Sequence, residues 1–106
     1  MTQYITKTKE DASGTNTFTT EIGAKNPTND EAEFRFSQFE KETEKAVCVS
    51  RAKGYTGING SDYFWIPKSI SKIVRMEFVH AEGTNYSDHE EVREVYVPLW
   101  FYNQNK

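Results

Sequence analysis

The apolar residues of this chain come in short runs, β-branched and aromatic, and each run is closed by turn residues. That punctuation constrains the fold more than any other feature. A helix that buries one face needs apolar residues recurring at three- and four-residue spacing over several turns. "YIT", "TFTTEI", "KAVCVSR", "DYFWIP" and "VREVYVP" favour pleated backbone instead, because branched and ring side chains pack well on a half-buried sheet. "GAKNPTND" reads as a turn or loop from its Gly, Asn-Pro and Asn-Asp in succession.

Side-chain alternation refines the picture. "EFRFSQF" predicts a half-buried strand with Phe34 and Phe36 on one face; Phe39 is out of phase and marks a bulge or the strand's end. "FEKETEK" reads as a charged hairpin connection. In "DYFWIP" the two-residue period sets Tyr63 and Trp65 on one face and Phe64 and Ile66 on the other, and Pro67 ends the run. Trp65 is expected in the core as an anchor, which leaves Tyr63 and Tyr55 as the exposed rings. "ISKIVRMEFVH" mixes helical and alternating spacing, and its β-branched content favours a strand over residues 73–80. "AEGTNYSDHEE" is a polar loop. The last strand points Val95 and Val97 inward, and "LWFYNQNK" reads as a short helical turn that lays Trp100 over one end of the sheet.

The polar residues 1–12 are expected as a mobile N-terminal arm. The sum is an all-β chain of five to seven short strands with a short C-terminal helical turn, folded as a single domain over residues 1–106. A small barrel, oligonucleotide-binding or SH3-like, or a sandwich fits this size. Aromatics make up 14% of the residues against 36% hydrophobic overall, so the core is expected to rest on few, large side chains.

Several chemistries are excluded by residue type and spacing. His80 and His89, with Asp88, Glu90 and Glu91 nearby, lack the tight His/Cys spacing of a zinc site, so no metal or other cofactor is expected. Cys48 lies between Val47 and Val49 and reads as a packed thiol rather than a nucleophile. "GYTGING" lacks the Gly-Lys-Ser/Thr ending of a phosphate loop. No carboxylates are spaced for acid–base work, and no enzyme activity is expected. No apolar run reaches the length of a membrane span, no secretory signal is visible, and a lone cysteine suits a reducing cytoplasm.

Charge carries the functional signal. The formal net charge is −3, yet residues 45–76 hold six Lys/Arg against one Asp, a net of +5 between two segments of net −4. Within that basic stretch, Arg51, Lys53, Lys68 and Lys72 flank Tyr55 and Tyr63, and glycines at 54, 57 and 60 let backbone approach a ligand. Rings beside cations are the design of single-stranded nucleic-acid binding. The competing reading is that these cations pair with anions on neighbouring strands. An alternative partner is another protein, bound through the acidic surface at Asp88, Glu90, Glu91 and Glu94. An exposed strand edge also allows a homodimer.

At "ETEKAVCVS", "YFWIPKS" and "VYVPLWF" the chain resembles a loose group of small bacteriophage proteins. The shared features fall at Glu44, Lys45, Ala46 and Val47, at Trp65, Ile66, Pro67, Lys68 and Ser69, and at Pro98 and Trp100. The resemblance covers the second half of the chain, and the glycine-rich loop 51–62 departs from it. It implies a phage or prophage origin and a compact β domain; for a phage-encoded chain the expected cytoplasm is that of the host cell. Small phage proteins commonly bind nucleic acid or inhibit a host defence or replication protein; the expectation is therefore a non-catalytic binding protein of one of these kinds.

Overall fold

The structure, a computed structural model, describes residues 3–52 and 61–105. The Asp11 carboxylate closes its first turn. Asp11 Oδ1 accepts hydrogen bonds from the Ser13 hydroxyl at 2.5 Å and from the Ser13 and Gly14 amides at 2.8 and 3.3 Å. The bonds from Ser13 hold the carboxyl below its ordinary value. Strands β1 (Gln3–Asp11) and β2 (Gly14–Ile22) leave this turn in unbroken antiparallel register, from Asp11 opposite Gly14 to Gln3 opposite Ile22. Residues 3–11, expected within a mobile arm, are therefore a paired strand. A Cβ at Gly14 would lie 2.3 Å from the Val79 carbonyl oxygen, so the close approach of the next strand requires glycine.

The other strands are β3 (Glu31–Glu33), β4 (Gln38–Glu42), β5 (Ala46–Ala52), β6 (Ser61–Pro67), β7 (Lys72–His80) and β8 (His89–Pro98). A short 3-10 turn, Lys68–Ile70, precedes β7, and helix α1 (Leu99–Asn105) follows β8. The strands form two antiparallel sheets, one in the order β1-β2-β7-β8-β3 and one in the order β4-β5-β6. The protein is thus all-β and sandwich-like, as its alternation implies, but the sheets are not closed into a barrel.

The stretch "EFRFSQF" is not one strand. The chain leaves the first sheet after Glu33 and enters the second at Gln38. In the crossing, the Phe34 amide still donates to Val95 on β8, while the Ser37 amide donates to Ser50 on β5, each at 2.7 Å. Phe34 therefore drops between the sheets and is fully buried. With it lie Val47, Val49 and Ile66 from the second sheet and Ile73, Val95 and Val97 from the first. Phe64 meets Phe34 edge-on with centroids 5.2 Å apart, a favourable ring geometry. Of the helix residues, Phe101 and Tyr102 pack on this core, whereas Trp100, expected over the sheet end, is mostly exposed.

The register carries two irregularities. In β4 it shifts between Phe39 and Lys41, where the sequence phase also breaks. On β8, Val74 faces Glu94 while Arg75 faces Val92, so Arg93 is the extra residue of a bulge. "FEKETEK" supplies most of β4, and its hairpin turn shrinks to residues 43–45, where the Thr43 hydroxyl accepts the Lys45 and Ala46 amides.

Candidate binding face

Strand β6 presents alternating faces, and its pairing with β5 shows which one is inside. Val47 lies opposite Ile66 and Val49 opposite Phe64, and this pair of positions meets the core. Cys48 lies opposite Trp65 and Ser50 opposite Tyr63, on the outer face. Trp65 is 47% exposed and Tyr63 63% exposed. The expectation of a buried Trp65 is therefore overturned: Phe64 and Ile66 already fill the inner face, and the two-residue period sends Trp65 out beside Tyr63.

The outer face of this sheet is built around the two rings. Lys41 reaches over Trp65, its Nζ 5.6 Å from the ring centroid, a cation–π contact. Ser50 donates its hydroxyl to Glu40 Oε2 at 2.6 Å. Glu40, Lys41, Tyr63 and Trp65 rim a shallow hollow of about 300 Å3 with Cys48 at its base. Cys48 is buried, as its flanking valines suggest, but it lies beneath this outer hollow rather than between the sheets.

Three of the four cations expected to surround the rings, Arg51, Lys68 and Lys72, are engaged elsewhere. Arg51 stacks its guanidinium 4.2 Å from the Phe34 ring centroid and 5.1 Å from that of Phe64. Its Nε donates to the Arg35 carbonyl at 2.6 Å, so it lids the core. Lys68 pairs with Glu42 at 2.7 Å, and Lys72 pairs with Glu31 at 2.6 Å and lies over the Tyr96 ring. Arg75 bridges the sheets to Glu42 and also reaches Glu21 at 3.3 Å. These contacts hold the Glu42 carboxyl down to about 2, first through the Arg75 hydrogen bonds and then through Lys68. They also raise the Arg75 guanidinium above its ordinary value. Lys53 and Tyr55 lie outside the described residues. Of the six positions singled out for nucleic acid, Tyr63 is the one the described structure places on the ring face.

The acidic positions fall in the other sheet, on β8 and just before it. Asp88 accepts the His80 amide at 2.8 Å and sits 2.6 Å from its Nδ1, contacts that hold its carboxyl below the ordinary range. Glu91 pairs with Arg93 at 3.0 Å. Glu94 accepts the Tyr96 hydroxyl, which pushes that phenol up to about 12. Glu90 lies directly opposite Glu77 on β7, at a cleft of about 350 Å3 between the sheets. No group of three His, Cys, Asp or Glu able to hold a metal ion occurs among the described residues. Nor is any helix among them long and apolar enough to cross a membrane.

No protein-family model matches the chain, and neither does any curated protein or any solved structure.

Proposed function

We propose that this chain is a non-catalytic, phage-type binding protein that engages a host protein in the cytoplasm through the Tyr63–Trp65 face. The observation that carries the reading is the pair of large rings left exposed side by side on the outer surface of a small sheet. Tryptophan and tyrosine dominate the energetics of protein interfaces because they bury much area with few rotatable bonds. The hollow beside them offers one cation, Lys41, and one anion, Glu40, a balance that suits a protein surface. A polyanion would need a sustained positive field, and Arg51, Lys68, Lys72 and Arg75 are all held by internal partners.

A second reading, single-stranded nucleic acid, draws on the same rings. Side chains two residues apart on a strand stand about 6.6 Å apart, enough for unstacked bases to lie on successive rings. One experiment separates the two. Binding of a labelled single-stranded oligonucleotide is measured at low and moderate salt. In parallel, wild-type and Trp65→Ala proteins are used as baits in nuclease-treated host lysate. The protein reading expects no oligonucleotide binding and a captured host protein that the variant loses. Oligonucleotide binding that weakens steeply with salt and is lost with Trp65 would replace it by the nucleic-acid reading. Identical capture by both baits would remove the ring face from either.

A further inference from the structure

Strand β7 carries an unbroken apolar row on its outer face, while its inner face mixes Ile73 and Val79 with Arg75 and Glu77. Ile73 points into the core, while Val74, Met76 and Phe78 alternate to the opposite side of the sheet. The pairing carries that outer face across four strands in level rows. One row runs Lys7, Phe18, Met76, Glu91; the row beside it runs Ile5, Thr20, Val74, Glu94. The apolar centre thus has lysine at its β1 side and glutamate at its β8 side. The second sheet and the helix pack on the other face. On this face Tyr86 reaches from its loop to Phe78, with ring centroids 6.5 Å apart. An antiparallel sheet packed on one face ordinarily turns polar residues outward on the other; here the outer face is apolar at its centre, with Met76 and Phe78 already mostly covered by neighbouring side chains and Ile5, Phe18 and Val74 more accessible.

We propose that two copies of this chain stack these outer faces about a two-fold axis that runs parallel to the strands between β2 and β7. That axis exchanges the two sides of each row. Lys7 then lies over the partner's Glu91, Phe18 over the partner's Met76, and each contact occurs twice, as an isologous interface demands. A two-fold axis across the strands would instead set Lys7 and Lys9 over their own copies, a like-charge arrangement. Four strands spaced about 4.8 Å apart and nine residues long offer roughly 600 Å2 per copy, or about 1,200 Å2 in all, the lower end of specific interfaces. Lys7 forms no ion pair among the described residues, and Glu91 is held by Arg93 in an exposed pair that leaves it accessible.

Sedimentation velocity over a concentration series tests the arrangement on the full chain, with circular dichroism as the check on folding. Wild type should dimerise reversibly. Lys7→Glu and Glu91→Lys should each weaken the dimer about three- to tenfold, because two symmetry-related contacts are lost together. The double charge reversal should restore it, which a merely structural effect would not do. Phe18→Glu should leave a monomer. A wild type that stays monomeric at its highest soluble concentration overturns the proposal, as does a dimer indifferent to the charge reversals. The second result would point to pairing through the β1 edge.

Discussion

Arg75 on β7 donates both terminal nitrogens to the Glu42 carboxylate on β4, Nη1 to Oε1 at 2.8 Å and Nη2 to Oε2 at 2.9 Å. This fork ties the five-stranded sheet to the three-stranded one, and Lys68 adds a third contact to the same carboxylate. The geometry resists substitution by lysine, which has no planar pair of donors. The fork is part of the reason the basic middle of the chain is not a free basic surface: Arg51, Lys68, Lys72 and Arg75 are all held by internal partners.

A pH dependence follows. The Glu42 carboxyl is depressed in the folded protein, from an ordinary 4.5 to about 2. A depressed group contributes stability that is present above its unfolded pKa and is lost as pH falls through the folded value. Stability should therefore decline between about pH 4.5 and 2. Glu42→Gln should lose about 1–2 kcal/mol at neutral pH and show a shallower decline in that window. Denaturant unfolding of both proteins at several pH values measures it; parallel curves would show that Glu42 contributes nothing.

Trp65→Ala should change stability by less than about 1 kcal/mol, because the ring is already half in water. Ile66→Ala, one residue on, should cost about 2–5 kcal/mol, since that side chain is fully buried in the cluster between the sheets. Thermal melts of the two variants make the comparison, and a reversed order would put Trp65 inside.

The strands rich in branched residues were legible because their patterns are local. "KAVCVSR", "DYFWIP" and "VREVYVP" are strands, and Val95 and Val97 point inward as the alternation requires. Alternation gives the two faces of β6 but not which of them meets the other sheet, so Trp65 was misplaced. Strand β1 lies at a sheet edge with every residue exposed, and it carries no apolar stripe to announce it. The crossing at Phe34 resembles a strand because burial alternates along it, with Phe34 buried, Phe36 partly buried, and Arg35 and Ser37 exposed. The partners of Lys68 and Arg75 were out of reach for another reason: Glu42 lies 33 residues before Arg75, and long-range register alone brings them together.

Deletion of residues 1–12 should leave a cooperatively folded protein. None of the core cluster comes from β1 or β2, so among the described residues the loss removes an edge and no buried side chain. The cost should appear as aggregation, because β2 becomes an unprotected edge with Phe18 and Ile22 on it. Circular dichroism melts and light scattering follow the two effects; a variant without a cooperative transition would show that β1 is required for the fold.

The thiol of Cys48 reports on the ring face. It is only 3% exposed, yet it sits at the base of the hollow rimmed by Lys41, Tyr63 and Trp65, directly across from Trp65 in the strand pairing. Its cover on this side is side chains rather than a second sheet. Native Cys48 should therefore react slowly with a thiol reagent, and Trp65→Ala should speed the reaction about tenfold or more without lowering global stability. A ligand docked on Tyr63 and Trp65 should slow the wild-type reaction further, because it closes the same opening. Reaction rates under native conditions, set beside the unfolding free energy of each protein, decide the matter. Rates that follow global unfolding in both proteins would mean that the backbone, not the indole, shields the thiol, and the hollow would then be no entry to it.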